Sequence, residues 1–384
     1  MDGMVQIGPK AYIHVDRLNH NFSVIQNLAE DCSIMCILKT NAYGHGGVII
    51  SQALKKVGCK WFGVFTHEEG IELRNAGIDQ NIFILSKLNQ VAIEAAVEYS
   101  FSLNLSSWKD FELLEQFYIK KQILPKVHLK IDTGMTRLGF DFKDTDIVLD
   151  KIANFNTLDC EGLYSHFATA DEGDQRYAHI QLKRFQTIIR KAEQKGIRFR
   201  YTHCSNSGAL LTLPESKFNM LRVGLLLYGV YPSDEVPRFV PVKPVMNFMG
   251  TIVEIRKINA GTPVSYGGIW TAKKDTHIGV VQSGFADGVP RPWFENGTVG
   301  YRGKRYPIAG RICMDQLTVD FGDDDIAIGD DVLFWGEDHG IQISTEEISK
   351  DILKKWLNDN MNKVVRETIK KELDNIVKKE MKKK

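Results

Sequence analysis

Near the N-terminus, the run Cys36-Ile37-Leu38-Lys39-Thr40-Asn41-Ala42-Tyr43-Gly44-His45-Gly46 places a lysine at the close of an apolar β-type stretch, with a glycine-rich turn directly after it. A side chain at the C-terminal end of a barrel strand points into an active-site mouth. A desolvated amine there can lose its proton, serve as a base, or form a Schiff base with a carbonyl compound. An isolated lysine would be read as a surface residue with a solvated tip. Lys130, His166, His203 and Arg222, however, also sit at or just past the ends of β-type runs, so a barrel would gather all five at one mouth. Singly they are unremarkable: His166 reads as a hydrogen-bonded core histidine, and Lys130 with Arg137 as a surface charge pair. Asn206 and Ser207 precede a helical stretch, a natural place for phosphate. The Gly44-His45-Gly46-Gly47 run lacks the Lys-Ser/Thr ending of a phosphate loop, and Asp323-Asp324-Asp325 reads as a solvated turn.

The elements that must carry these groups show as a change of pattern along the chain. From 11 to about 232, β-type runs at 11–15, 33–38, 61–65, 82–85, 101–103, 126–131, 160–164, 199–203 and 219–221 alternate with helix-length segments such as 17–29 and 175–195. That alternation predicts parallel strands joined by crossover helices, an α/β fold. Nine runs are one more than a closed (β/α)8 TIM-like barrel requires, so the first, near 11–15, is expected to join another sheet. From about 241, runs at 245–255, 276–283, 297–301, 305–308, 317–321 and 331–335 follow one another with glycine turns, which predicts an antiparallel β domain. The expected division is a barrel over 10–240, a β domain over 241–345 and a basic amphipathic helical tail over 346–384. In the tail, Ile352, Trp356, Val364, Ile369, Leu373 and Ile376 fall on one helical face.

The composition, 43% apolar and 25% charged over 384 residues, excludes a disordered or fibrous chain and allows a full-sized core. With no apolar run of 18 residues and no basic-then-apolar leader, neither a membrane span nor export is expected, and the expected location is cytoplasmic. The net charge of +1 hides an asymmetry: residues 350–384 hold 12 Lys+Arg against 6 Asp+Glu, and the rest 37 against 42. The acidic body suggests no nucleic-acid surface. The six cysteines form no Cys-x-x-Cys pair, so reduced thiols and no metal site are expected.

The Lys39 to Gly46 run resembles the pyridoxal-phosphate lysine signature of alanine racemases (fold-type III pyridoxal-phosphate enzymes), with Thr40 in place of the usual alanine. The resemblance continues through Lys130-Ile131-Asp132-Thr133-Gly134-Met135-Thr136-Arg137-Leu138-Gly139, Glu161-Gly162-Leu163-Tyr164-Ser165-His166, His203-Cys204-Ser205-Asn206-Ser207 and Arg222-Val223-Gly224. In the β domain it includes Val264-Ser265-Tyr266-Gly267, Gly284-Phe285-Ala286-Asp287-Gly288 and Gly310-Arg311-Ile312-Cys313-Met314-Asp315-Gln316. So many ordered motifs over roughly 10–345 are specific. The resemblance implies pyridoxal 5′-phosphate as cofactor and racemisation of L- and D-alanine, supplying D-alanine for peptidoglycan. Racemisation removes a proton on one face and returns it on the other, which calls for two bases. By resemblance these are Lys39, which also carries the cofactor, and Tyr266 of the partner subunit, so the expected assembly is a homodimer with shared sites. Tyr43, His166, Asn206, Ser207, Arg222 and the backbone at Gly224 and Leu225 match cofactor ligands, with Arg222 facing the pyridine nitrogen. Arg137 and the Met314 backbone match groups that hold the substrate carboxylate. Lys130 matches a lysine carbamylated in many relatives, and His203 and Asp315 stand behind these groups.

Three departures bear on the expected activity. Val223 replaces a usual proline, Phe285 replaces a usual tyrosine at the substrate entrance, and no tyrosine follows Tyr306, where relatives end on a Tyr-Glu motif. The alternatives are a racemase of serine or another small amino acid, a decarboxylase sharing the barrel, or a catalytically impaired pyridoxal-phosphate-binding homologue. The tail is also readable as an interaction helix for a partner helix or an anionic membrane surface.

Overall fold

The computed structural model describes residues 7–352. The chain divides into two compact units, one made of His14–Val245 and the other of the flanking segments up to Ile13 and from Met246.

In the first unit eight strands pair in parallel, in the order Met220–Val223, Ser33–Ile37, Trp61–Val64, Asn81–Ile84, Phe101–Leu105, Lys126–Asp132, Cys160–Tyr164 and Tyr201–His203. This is the predicted barrel, nearly closed. At its seam Asn219 stands in for ladder bonds: Thr202 N–H donates to its Oδ1 at 2.7 Å, and its Nδ2 donates to Arg200 O at 2.9 Å. Arg222 N–H reaches across to Ser205 O at 3.1 Å. Parallel strands of this kind are covered on both faces and so are nearly continuously apolar; Trp61-Phe62-Gly63-Val64 is buried at every position. The crossover helices bury one stripe each. Val15–Ala29 buries Leu18, Phe22, Ile25 and Ala29, three or four apart, each large side chain contributing about 1.5–3 kcal/mol. Thr66 and Glu69 form a capping box at the start of His67–Asn75.

Inside the barrel, Met35, Ile37, Trp61, Phe83, Tyr164 and Met220 form a buried cluster. A Cβ at Gly63 would lie 2.7 Å from Ile37 Cδ1, so the glycine makes room for that cluster. A two-residue strand, Phe140–Asp141, runs parallel to the end of Lys126–Asp132; it is too short to leave a periodic signature in the sequence.

In the second unit Lys10–Ile13 pairs antiparallel with Met246–Ile258. The main sheet runs Lys304–Pro307, Thr298–Tyr301, Asp331–Asp338, Met246–Ile258, Thr276–Gln282, Leu317–Gly322. Its core includes Ile252, Val281, Val299, Val319, Phe321, Val332 and Phe334. A small hairpin, Pro263–Val264 with Trp270–Thr271, carries Tyr266 in its loop. Residues 345–352 are helical; the rest of the predicted tail lies outside the described residues. Among the described residues no helix is long and apolar enough to cross a membrane.

Candidate active site

Lys39 follows the Ser33–Ile37 strand and opens a turn of opposite hand to a normal helix. Thr40, Asn41, Ala42 and Tyr43 have φ of 56°, 52°, 54° and 54°, and Gly44 continues at 83°. Left-handed backbone costs an L-residue roughly 1–2 kcal/mol, least for Asn, so the surroundings must enforce four such residues in a row. Glu69 is the main clamp. Its Oε1 accepts from Thr40 N–H at 2.5 Å, and its Oε2 from Phe65 N–H at 2.7 Å and Thr66 N–H at 3.2 Å. Asn41 Oδ1 accepts from Gly47 N–H at 2.7 Å, and Ala42 N–H donates to Leu38 O at 2.8 Å. His45 Nδ1 lies 3.0 and 3.1 Å from the carbonyls of Ala42 and Tyr43, which can only accept, so that nitrogen carries a proton. The sequence predicted a glycine-rich turn here but not its hand.

The barrel unit holds a cavity of about 560 Å³, and ten predicted residues line it: Lys39, Tyr43, Lys130, Arg137, His166, Asn206, Ser207, Arg222, Gly224 and Leu225. Lys39, Lys130, Arg137 and Arg222 face it against a single carboxylate, Asp171. Four cations around so small a volume call for anionic groups. Burial, reinforced by Arg222 and Arg137, pulls the Lys130 amine down to about 8. Lys130 Nζ lies 5.2 Å and the Arg222 guanidinium 5.4 Å from the centre of the Tyr164 ring. Tyr164 Oη donates to Asn104 Oδ1 at 2.7 Å. Tyr164 is a site residue that sequence reasoning misses; its place at the end of the Cys160–Tyr164 run is the available signal.

Arg222 is only 4% exposed. Its Nη1 meets His203 Nδ1 at 2.8 Å and His203 O at 3.1 Å; its Nη2 meets Ser165 O at 2.7 Å, His166 Nδ1 at 3.1 Å and Cys204 O at 3.2 Å. Every partner is neutral, and the Nε–H finds no acceptor among the described residues. Burial and then Arg222 hold both His166 and His203 well below the ordinary histidine range. His203 does not line the cavity; it stands behind Arg222. Arg137, exposed, sits on a turn tied by Asp132, whose Oδ1 accepts from Gly134 N–H at 2.7 Å and Met135 N–H at 2.8 Å, and whose Oδ2 accepts from Arg137 N–H at 3.2 Å.

Elsewhere in the cavity a cradle forms around Gly224. A Cβ there would lie 2.8 Å from Tyr43 Oη, so only glycine lets the phenol come so close to this backbone. Ser207 Oγ accepts from Gly224 N–H at 3.1 Å, and Asn206 Oδ1 is used as the helix cap, accepting from Ala209 N–H at 2.9 Å. Hydroxyls and amides grouped in this way suit phosphate oxygens, and the unused Arg222 N–H suits a ring nitrogen. The residues present therefore fit pyridoxal phosphate, with Lys39 as the amine to carry its aldehyde.

The remaining predicted residues belong to the second unit. Tyr266 is 65% exposed and Met314 56% exposed. Their segments meet at one rim: Ser265 Oγ donates to Arg311 O at 2.7 Å and lies 3.9 Å from Cys313 Sγ. Met314 O accepts from Ala286 N–H at 3.0 Å, and Asp315 is exposed.

The sequence model described as alanine racemase, N-terminal domain, matches residues 13–232, and that described as alanine racemase, C-terminal domain, matches residues 245–364. Alanine racemase 2 of Caldanaerobacter subterraneus subsp. tengcongensis is 35% identical over 88% of each chain. Alanine racemase of Carboxydothermus hydrogenoformans is 38% identical over 80% of this chain and 84% of its own. Among solved structures, alanine racemase of Clostridium difficile superposes with a TM-score of 0.85 at 33% identity, covering 91% of each chain. That of D-cycloserine-producing Streptomyces lavendulae gives 0.84 at 31%, covering 90% of this chain and 92% of the other. The chain belongs to the alanine racemase family, whose amino-acid racemases use pyridoxal 5′-phosphate.

Proposed function

We propose that this protein racemises L- and D-alanine with two bases, Lys39 Nζ on one face of the substrate and Tyr266 Oη of the partner subunit on the other. The observation that carries this reading is the cationic cavity of the barrel unit: four cations against one carboxylate, with a glycine-lined cradle and one buried guanidinium N–H left to give. When bound, pyridoxal phosphate supplies the electron sink that makes a substrate Cα proton removable. Tyr43, Ser207, Asn206 and the backbone at Gly224 and Leu225 would hold its phosphate, and Arg222 would give its Nε–H to the ring nitrogen. A guanidinium does not yield its proton, so Arg222 would hydrogen-bond that nitrogen without protonating it. His166, which lines the same cavity, would help hold the ring. Arg137 and the Met314 backbone would orient the substrate carboxylate; Lys130 would hold Arg137 only once carbamylated, which turns a cation into an anionic partner for it. Lys39 Nζ would take or return a proton on its face, and Tyr266 Oη would do so on the opposite face. The exposure of Tyr266 supports a role for it across a homodimer interface. The D-alanine formed would serve peptidoglycan.

A second reading, a cofactor-binding homologue of low turnover, is favoured by Phe285, which puts no hydroxyl where relatives carry one at the substrate entrance. One experiment separates the two. The purified protein is loaded with pyridoxal phosphate and assayed with L-alanine, D-alanine, L-serine and D-serine. Fast interconversion of the alanine pair supports the proposal; a coloured protein with no turnover on any of the four supports the second reading.

A further inference from the structure

Behind Arg222 a file of buried polar side chains runs down the barrel interior toward the N-terminal ends of the strands. We propose that His128 and Glu161 are positioning residues for Arg222: through His203 they fix a one-way hydrogen-bond order that keeps an acceptor facing the guanidinium. Arg222 offers only donors. His203 Nδ1, 2.8 Å from Nη1, must therefore be unprotonated. In a neutral ring the proton then sits on Nε2, which lies 2.8 Å from His128 Nδ1 and donates to it. That leaves the His128 proton on Nε2, which is buried without a partner of good geometry and has Glu161 Oε1 3.5 Å away. The donors all point one way, from the cation to the carboxylate.

Three features show that the site is built for this order. The ladder between Lys126–Asp132 and Cys160–Tyr164 slips by one residue, pairing Val127 with Cys160 but His128 with Gly162, so Glu161 is the extra residue of a bulge. Bulges re-aim a side chain, and this one gives Glu161 its place by His128. Opposite, a Cβ on Gly162 would lie 2.3 Å from His128 Nδ1, so the ring fits only against glycine. Aromatic rings hold both imidazoles: Phe83 stacks on His128 with centroids 4.6 Å apart, and Tyr164 on His203 at 5.0 Å with the planes 5° apart. Glu161 also accepts from Ser102 Oγ, with Arg200 Nη2 at 3.2 Å and Lys126 Nζ at 3.6 Å. Although burial alone would raise it, the contacts with His128 and Ser102 hold Glu161 down at about 2, so it stays ionised.

The order matters because its reverse would place a His203 Nδ1–H against Arg222 N–H groups, donor against donor, and would turn the guanidinium. The catalytic consequence rests on the role proposed for Arg222; the proton order does not. The test is ring-nitrogen NMR of the full-length protein labelled with ¹⁵N-histidine, with and without pyridoxal phosphate. His128 and His203 are expected to be neutral at pH 7, each protonated at Nε2 and bare at Nδ1. A proton on Nδ1 of either ring, or a charged ring, overturns the proposal, and this measurement needs neither a variant nor turnover. In Glu161→Gln the amide oxygen is drawn to Arg200 and Lys126, so its NH2 faces His128 and the order is disturbed. The expected outcome is protonated Nδ1 at His203 in part of the population, with kcat lowered about ten-fold and KM unchanged, the size of one lost hydrogen bond to a charged group. Unchanged ring signals with unchanged kcat would refute the positioning role. Loss of racemisation in the unaltered protein would sink the functional reading while leaving the proton order intact.

Discussion

Glu69→Gln tests how the reactive lysine is held. The carboxylate uses both oxygens: one takes Thr40 N–H, the other takes Phe65 and Thr66 N–H. Glutamine has one acceptor oxygen. If it keeps the Phe65 and Thr66 bonds, its NH2 group is set against Thr40 N–H, at the first residue of the left-handed turn. A hydrogen bond to a charged group is worth about 1.5–3 kcal/mol, and partial exposure of Glu69 argues for the lower end, about 1–2 kcal/mol. That loss falls on a turn already carrying roughly 1–2 kcal/mol of strain per residue. At 1.4 kcal/mol per factor of ten, pyridoxal phosphate should bind about ten-fold more weakly. The assay is an absorbance titration of the cofactor-free protein, with urea unfolding run in parallel and Glu68→Gln, an exposed neighbour, as control. Equal affinity of Glu69→Gln and the unaltered protein, or an equal loss in the control, would refute the clamp.

Thr40→Gly removes a β-branched residue from left-handed backbone and is expected to stabilise the protein, by about 1 kcal/mol or less once the added freedom of the unfolded chain is counted; urea midpoints check this. Lys130 is lowered from 10.5 to about 8, chiefly by burial. The native state therefore binds fewer protons than the unfolded chain between those values, and its stability should rise with pH across that window. With Lys130 uncarbamylated, Lys130→Met should accordingly stabilise the protein at pH 7, on the order of 3 kcal/mol, with the gain shrinking to nothing near pH 10.5; denaturant unfolding at pH 7 and pH 10 decides it. Gly224→Ala puts a methyl group 2.8 Å from Tyr43 Oη and should weaken pyridoxal phosphate more than unphosphorylated pyridoxal in paired titrations. Tyr266→Phe should slow α-proton removal from one enantiomer of alanine far more than from the other, within the roughly 10²–10⁴-fold range of general acid–base catalysis; equal losses would remove its one-face role.

The barrel was legible because parallel strands leave apolar runs at regular intervals and their crossover helices leave a three-to-four spacing. The strand-end rule brought Lys39, Lys130, His166 and Arg222 to one cavity without any contact being known. Geometry against intrinsic preference was not legible. Nothing in Thr40 or Ala42 announces left-handed backbone, since tertiary bonds from Glu69 impose it. Glu161 reads as one more strand residue until the register slip turns it. Tyr164 looks like core, which it also is.

Two-sided proton transfer at the alanine Cα can be followed directly. The cofactor-loaded protein is incubated with L-alanine in D2O, and the products are resolved by chiral chromatography with mass detection. D-alanine should accumulate toward an equal mixture and carry deuterium at Cα from the earliest time points. L-alanine that exchanges its α-proton while no D-alanine forms would contradict it.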